Sequence, residues 1–192
     1  MTCRKSKRTS TSTSPKWPRR ERDGVIVLGI DPGTAATGYG VVTDHSGEPR
    51  GSHSRIECGV IRTAPRDALS VRLLGLYDEV RGLIVRHRPE AVSIDDVFYA
   101  KNVRTTVVLG HARGVVLLAA QQSGMAIFEY PPAEIKKTVV GAGAATKEQV
   151  QFMVARLLRL KSAPQPYDAA DGVAAALAHL LTARIPRLER VR

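Results

Sequence analysis

Two aspartates stand directly after buried apolar segments of the chain. Asp31 follows the continuous apolar run 25–30, and Asp95 follows the shorter run 91–94. Such runs are typical of strands buried on both faces of a sheet. In open α/β sheets, ligands bind in the crevice beyond the carboxyl ends of the strands. We therefore expect Asp31 and Asp95 to face a functional cleft.

A second acidic pair, Asp168 and Asp171, lies at the start of the last predicted helix. Residues three apart in a helix share a face, so both carboxylates can point the same way. The spacing also fits an N-cap followed by an acidic first turn, and spacing alone leaves both interpretations open. Asp96 raises a related question, because successive side chains of a strand face opposite sides and only one of Asp95 and Asp96 can face the cleft.

These acids form the donor set of a hard divalent cation. Carboxylates gathered in a cleft cannot all stay ionised without a counter-charge. Mg²⁺ prefers such oxygen ligands, and two ions about 3.5–4 Å apart can clamp the attacking and leaving oxygens of a phosphoryl displacement. These residue types would suit metal-assisted phosphoryl chemistry at Asp31, Asp95, Asp168 and Asp171, and the capping interpretation of the last two stays open.

The elements that must position these acids alternate in a definite order. Hydrophobic patterns and turn residues predict strands at 25–30, 38–42, 54–62, 91–94 and 125–128, and helices at 65–87, 102–122, 131–140, 146–160 and 168–181. Thr146 and Gln149 have the spacing of a capping box. Three strands joined by turns, followed by strands that alternate with helices, predict an α/β fold. We expect a mixed five-stranded sheet with helices on both faces.

Length and composition indicate one domain of a soluble protein. The chain has 192 residues, of which 43% are hydrophobic. This length is enough for a single hydrophobic core that needs no disulfide bonds. Two cysteines exclude a disulfide scaffold. Uninterrupted apolar runs such as 115–120 are far shorter than the roughly 20 residues of a membrane span. The N-terminus carries charge without the apolar region of a secretory signal, so we expect an intracellular, cytoplasmic protein that does not bind membranes.

The net charge of +11 is concentrated at the two ends of the chain. Residues 1–23 hold eight Lys or Arg against two acids, and 183–192 hold four against one. We therefore expect a basic, disordered N-terminal tail at 1–23, a domain at 24–182 and a basic C-terminal tail at 183–192. Basic tails suggest an anionic partner such as nucleic acid. A solvated extension that only keeps the protein soluble has the same composition.

Five groups of residues occur in a fixed order between positions 25 and 181. They are Gly-Ile-Asp-Pro-Gly-Thr at 29–34 with Gly-Tyr-Gly at 38–40; Ser-Ile-Asp-Asp-Val-Phe at 93–98 with Ala-Lys-Asn at 100–102; Leu-Gly-His-Ala-Arg-Gly at 109–114; Glu-Tyr at 129–130 with Ile-Lys-Lys-Thr-Val-Val-Gly at 135–141; and Asp-Ala-Ala-Asp at 168–171. This ordered set resembles the RuvC family of Holliday-junction resolvases.

The resemblance implies an RNase H-like fold and a homodimer that nicks two opposed strands of a four-way DNA junction in recombination and repair. It implies Mg²⁺ or Mn²⁺, two ions per active site, and catalytic, metal-binding carboxylates at Asp31, Asp95, Asp168 and Asp171. Phe98, Lys136 and Lys147 match DNA-contacting positions of the family, and Lys101 and Lys137 are added by their position alone. The RuvA–RuvB branch-migration complex is an implied partner, and the bacterial nucleoid the implied location.

One position departs from the family pattern. The relatives usually carry Glu where this chain has Asp95, so the side chain is shorter by one methylene. Either the strand shifts, a water bridges, or Asp96 contributes to the site. The predicted helix at 102–122 carries Gly110 and Gly114, which allow close approach, and we take it as the candidate dimer contact.

Two other functions use similar residues. Asp-Pro-Gly-Thr at 31–34 resembles the phosphate-binding turn of sugar and acetate kinases, but those enzymes use two such domains and more than twice this length. An ATP-induced shift in melting temperature would favour that interpretation. A non-catalytic junction-binding module would bind four-way DNA without Mg²⁺-dependent cleavage, although all four acids are present here.

Overall fold

The computed structural model describes residues 24–45, 52–96 and 103–184. The strands are β1 (Val25–Asp31), β2 (Ala36–His45), β3 (Ser52–Arg62), β4 (Ala91–Asp95) and β5 (Ala126–Tyr130). The helices are α1 (Leu69–His87), α2 (Val103–Gln122), α3 (Pro132–Val140), α4 (Lys147–Leu157) and α5 (Tyr167–Arg184). The element types and their order confirm the predicted α/β pattern.

The strands form one mixed sheet in the order β3-β2-β1-β4-β5. β1, β2 and β3 pair antiparallel, as predicted for the turn-linked segment. β4 and β5 add in parallel, and α1 and α2 make the crossovers that parallel strands require. In the parallel register Ile30 pairs with Ile94. Asp31 and Asp95 therefore follow side by side at the carboxyl ends of these two neighbouring strands.

Alternating side chains divide the sheet between two cores. Ile26, Leu28 and Ile30 of β1 pack with α1 and α2 on one face. Val27 packs with α3, α4 and α5 on the other. Because side chains alternate along a strand, Gly29 and Asp31 share the α5 face with Val27.

Several boundaries differ from the sequence prediction. β2 extends on both sides of 38–42 because its pairing with β3 runs from Ala36 to His45. α4 ends at Leu157 rather than near 160, where Arg159 takes a left-handed conformation at φ 51. α1 starts at Leu69, four residues after the predicted start. Hydrophobic periodicity marks the middle of an element, whereas long-range pairing and caps set its ends.

Some predictions fall outside the described residues. The tail at 1–23, most of the tail at 183–192, Phe98, Lys101 and the helix start at Asn102 belong to this group. They stay predictions.

Helix α2 has more apolar surface than the sheet covers. Ala112, Val116, Ala119 and Ala120 are buried, whereas Val103 is 80% exposed. Within the described ranges, α2 is the helix that is long and apolar enough to cross a membrane by length and composition, with a mean hydropathy of 1.3. Polar residues interrupt the apolar runs of this helix, so no uninterrupted run in it reaches the length of a membrane span. One side of α2 nevertheless packs in the core of the domain.

Helix α5 lies directly on the backbone of β1 and β2. A Cβ on Gly29 would lie 2.2 Å from the carbonyl oxygen of Gly172 and 2.3 Å from the backbone nitrogen of Ala176. A Cβ on Gly38 would lie 1.8 Å from the carbonyl oxygen of Asp168. Contacts this short exclude any side chain, so glycine is required for the helix to approach the strands.

We expect Gly29→Ala to destabilise the protein, because α5 must move away from β1 to admit the methyl group. Overpacking of this kind costs about 1–3 kcal/mol, and chemical denaturation monitored by circular dichroism measures it. The matched control is Gly82→Ala in α1, where a Cβ meets no atom within 4 Å. That change should stabilise the helix by about 0.5–1 kcal/mol. Equal free energies of unfolding for the two variants would contradict the close contact.

Candidate active site

The carboxyl ends of β1 and β4 bring two of the predicted acids to the α5 face of the sheet. The hydroxyl of Ser93 donates a hydrogen bond to the carbonyl of Ala175 in α5, at 2.7 Å. Asp95 lies two residues further along β4 and faces the same side. Asp31 shares this face, and both acids therefore lie under the start of α5.

Helix α5 contributes the other two acids. Asp168 lies inside the first turn, and Asp171 follows one turn later on the same face. One carboxylate oxygen from each of Asp31, Asp168 and Asp171 lies within 4.8 Å of the other two. The close approach of α5 to the sheet thus assembles a carboxylate trio from two elements far apart in sequence.

Asp95 lies beside this trio rather than within it. Its Oδ1 atom is buried and makes no hydrogen bond to any of the described residues. A buried carboxylate oxygen without a partner is costly. A bound cation would supply the missing interaction.

Burial and mutual repulsion raise the pKa of the clustered carboxyls. Burial is the largest cause for Asp31, whose pKa rises to about 7; the charges of Asp171 and Asp168 raise it further, and Lys147 opposes them. Burial followed by the charges of Asp31 and Asp171 raises the pKa of Asp95 to about 8. Burial also raises the pKa of Asp171. Near neutral pH the cluster therefore retains protons that a cation can displace.

A lysine at the start of α4 reaches the trio. The Thr146 hydroxyl accepts a hydrogen bond from the Gln149 amide at 3.3 Å, and Gln149 Oε1 accepts one from the Thr146 amide at 2.8 Å. This capping box, predicted from the sequence, is confirmed. It fixes the first turn of α4, from which Lys147 Nζ lies 3.4 Å from Asp171 Oδ2. Burial is the largest single influence and lowers the pKa of Lys147, but Asp171, Asp168 and Asp31 together raise it above its ordinary value, so the ammonium stays charged.

The other predicted lysines differ in their environment. Lys136 on α3 is half-buried, and its charge lowers the pKa of Asp95 and Asp171 against the dominant effect of burial. It therefore lies within electrostatic range of these acids. Lys137 is exposed on the same helix.

A network that the sequence did not reveal braces the turn after Asp31. The Thr37 hydroxyl donates to the carbonyl of Gly33 at 2.6 Å and accepts from its amide at 3.1 Å. The carbonyl of Thr34 accepts from both Thr63 and Arg72. Arg72 lies on α1, so the contact joins residues 38 apart and has no local signal.

Asp96 faces away from the trio, which answers the question that the sequence left open. Its Oδ1 atom lies 3.1 Å from Arg113 Nη2 on α2. Arg113 also contacts Glu129 of β5. Strand alternation therefore gives Asp95 to the cluster and Asp96 to an ion pair on the opposite face.

The donor set fits a hard divalent metal ion. The trio offers carboxylate oxygens from rigid elements, and Asp95 adds a buried oxygen without a partner among the described residues. Such all-oxygen ligands suit Mg²⁺ or Mn²⁺. An ion held there would neutralise the charge that raises the pKa of these acids.

Comparison with known proteins identifies close relatives. The family model for crossover junction endodeoxyribonuclease RuvC matches residues 27–179. The RuvC of Pelotomaculum thermopropionicum is 46% identical over 155 residues, covering 81% of this chain and 92% of the relative. That of Chlorobium phaeovibrioides is 46% identical over 157 residues, covering 82% of each chain.

Solved structures agree with this assignment. Thermus thermophilus RuvC superposes with a TM-score of 0.76 at 35% identity, covering 83% of this chain and 96% of that one. The same protein in complex with a Holliday junction substrate gives 0.76 at 33% identity, covering 84% and 97%. The yeast mitochondrial Holliday junction resolvase Ydc2, at 12% identity and a TM-score of 0.59, shares the fold. With a family match that spans the sheet, the acid cluster and most of α5, this chain belongs to the RuvC family of crossover junction endodeoxyribonucleases.

Proposed function

We propose that this chain is a metal-dependent endodeoxyribonuclease that resolves four-way (Holliday) DNA junctions by paired nicks, in recombination and DNA repair. The observation that carries the proposal is the convergence of carboxylates from β1, β4 and α5 in a chain of the RuvC family. The related T. thermophilus enzyme has been solved with a Holliday junction substrate, which supports the same substrate here.

Asp31, Asp168 and Asp171 are the residues we assign to metal binding and catalysis, with Asp95 completing the set. Bound ions would activate a water molecule and neutralise charge on the scissile phosphate. The carboxylates hold their positions because they lie on strand ends and a helix packed on the sheet. Lys147 pairs with Asp171, and its ammonium would be free for a DNA phosphate once that pair opens.

We assign the cofactor as Mg²⁺ or Mn²⁺, with two ions per site. Mg²⁺ keeps several waters and is usually bound through one or two carboxylates. Four carboxylates therefore exceed what one such ion needs. The separate position of Asp95 beside the trio supports a second ion.

Junction DNA would lie across the acids, guided by basic and aromatic side chains. Lys136 and Lys147 border the cluster and suit phosphate contacts. Lys137 and Lys101 are further phosphate-contact candidates, and Phe98 suits stacking on a base, which can contribute about 1–3 kcal/mol. The basic tails at 1–23 and 183–192, outside the domain at 24–182, would add salt-dependent affinity.

A homodimer through α2 accounts for the apolar surface of that helix. Val107 is 53% exposed and Leu118 is 52% exposed. A Cβ on Gly110 or Gly114 meets no atom within 4 Å, so both glycines leave open space on the helix surface. A two-fold dimer presents two active sites to a junction that is itself roughly two-fold symmetric. We further propose that the dimer works in the bacterial cytoplasm, at the nucleoid, beside the RuvA–RuvB complex.

The central test is cleavage of a synthetic mobile four-way junction, compared with a linear duplex of the same arms, in Mg²⁺ and in Mn²⁺. We expect paired nicks in the junction alone. Loss of a residue that hydrogen-bonds to a metal ligand typically lowers activity roughly 10–100-fold. Asp31→Asn changes a ligand itself, so we expect the cleavage rate to fall by more than that. Asp78→Asn, at an exposed position of α1, should cleave like the wild type. Tight junction binding without cleavage in either metal would instead indicate a non-catalytic binding module.

Metal-free stability should depend on pH through the acid cluster. Asp31 and Asp95 have pKa values of about 7 and about 8 in the fold, against 3.8 for an ordinary Asp. At pH values between about 4 and about 8, the folded state therefore binds more protons than the unfolded state. Its stability should fall as pH rises from about 4 to about 8.

In chelator at pH 8.5 we expect Asp31→Asn to melt at least about 3 °C above the wild type, because it removes one of the repelling charges. At pH 5 the difference should be much smaller, because the wild-type carboxyl is then protonated. Mn²⁺ should raise the melting temperature of the wild type more than that of the variant. Identical melting curves at both pH values would contradict the charge repulsion.

A bulky residue on the exposed face of α2 should break the dimer. Gly110→Phe has space within one subunit, so we expect a folded monomer by circular dichroism and light scattering. Lys161→Phe, exposed in the loop between α4 and α5, is the matched control and should remain dimeric. An unchanged dimer for Gly110→Phe would remove α2 from the interface.

A further inference from the structure

An arginine on α2 joins the ends of two neighbouring strands. Arg113 Nη2 lies 3.1 Å from Asp96 Oδ1, directly after β4, and also contacts Glu129 Oε2 in β5. The Arg113 side chain is 28% exposed, so solvent screens this cluster only in part. Asp96 directly follows Asp95 in sequence, but its ion pair with Arg113 lies on the opposite face of the sheet from the acid cluster.

The end of β4 is held less firmly than its middle. The pairing of β4 with β1 runs from Ala91 to Ile94 and does not include Asp95. On the other side Asp95 pairs with Tyr130 of β5, and the Asp96 amide donates to the Tyr130 carbonyl at 2.9 Å. The backbone that carries Asp95 is therefore held from one side only.

Arg113 links this strand end to its neighbour on the α2 face of the sheet. Ile94 pairs with Glu129 in the register of β4 with β5. The carboxylates of Asp96 and Glu129 both contact Nη2 of Arg113, so α2 adds a second restraint to the end of β4.

We propose that Arg113 is a positioning residue: by bridging Asp96 and Glu129 it fixes the end of β4 and holds Asp95 against the Asp31–Asp168–Asp171 trio. The side chains of Asp95 and Asp96 leave the strand on opposite faces, so a restraint on one sets the direction of the other. This role rests on the metal-dependent function proposed above. In this proposal Arg113 raises the affinity of the site for metal without contacting the metal or the DNA.

The test compares Mn²⁺ binding, followed by electron paramagnetic resonance of free Mn²⁺, in the wild type and in Arg113→Gln. We expect the dissociation constant to rise about 10–100-fold, as for the loss of a group that orients a metal ligand. The Mn²⁺ concentration for half-maximal junction cleavage should rise in parallel, while the rate at saturating Mn²⁺ falls much less. Binding of the junction in chelator should not change.

Two further variants separate positioning from general destabilisation. Arg113→Lys keeps the charge but loses the two-pronged bridge, so its Mn²⁺ affinity should lie between those of wild type and Arg113→Gln. Arg86→Gln breaks a more exposed ion pair, the 3.0 Å contact with Glu57 of β3 at the opposite edge of the sheet. It should leave Mn²⁺ affinity at the wild-type value.

The Asp95→Asn background gives the sharpest comparison. If Arg113 acts through Asp95, adding Arg113→Gln to Asp95→Asn causes no further loss of Mn²⁺ affinity. An equal loss in both backgrounds would overturn the proposal, as would unchanged affinity in folded Arg113→Gln or Arg113→Lys. Weaker junction binding with unchanged Mn²⁺ affinity would make Arg113 a phosphate contact instead. Absence of Mn²⁺ binding by the wild type would reject the proposed metal-dependent function itself.

Discussion

The backbone contact between α5 and the first two strands is the constraint on which the site depends. Helix α5 follows β1 by more than a hundred residues, yet it carries two of the acids that must meet Asp31. Side chains at Gly29 or Gly38 would hold the helix off the sheet and separate Asp168 and Asp171 from Asp31. The glycines of the sheet are therefore as much a part of the site as the acids.

This close packing has an electrostatic consequence. It brings several carboxylates together at a partly buried site. Burial and the like charges of neighbouring carboxylates raise the pKa of Asp31 and Asp95 far above the usual range. Apolar packing on both faces of the sheet holds these carboxylates together. A divalent cation bound there would relieve the repulsion between them, so metal affinity and fold stability would be two measures of the same arrangement.

Local patterns in the sequence were enough to predict much of this architecture. Apolar runs identified β1 and β4 and placed Asp31 and Asp95 at their ends, and the Thr146–Gln149 capping box was correct in detail. Family resemblance supplied the interpretation of Asp168 and Asp171.

The rest depends on contacts between distant residues, which one sequence does not encode in its local pattern. The glycine contact with α5 and the Arg72 brace belong to this group. Sequence alternation required Asp95 and Asp96 to face opposite sides, but the contact of Ser93 with α5 and that of Asp96 with Arg113 show which one faces the cluster. The separation of Asp95 from the trio has the same origin, because it follows from where β4 ends relative to β1.

The most direct test of this account is the Mn²⁺ affinity of Gly172→Ala, a variant that changes neither an acid nor a charge. A Cβ at this position would lie 2.5 Å from the Tyr39 backbone, so the methyl group must lift α5 from β2. We predict that the folded variant binds Mn²⁺ at least about 10-fold more weakly than the wild type, as for the loss of a group that orients a metal ligand. Wild-type Mn²⁺ affinity in a folded Gly172→Ala protein would contradict the claim that this contact builds the site.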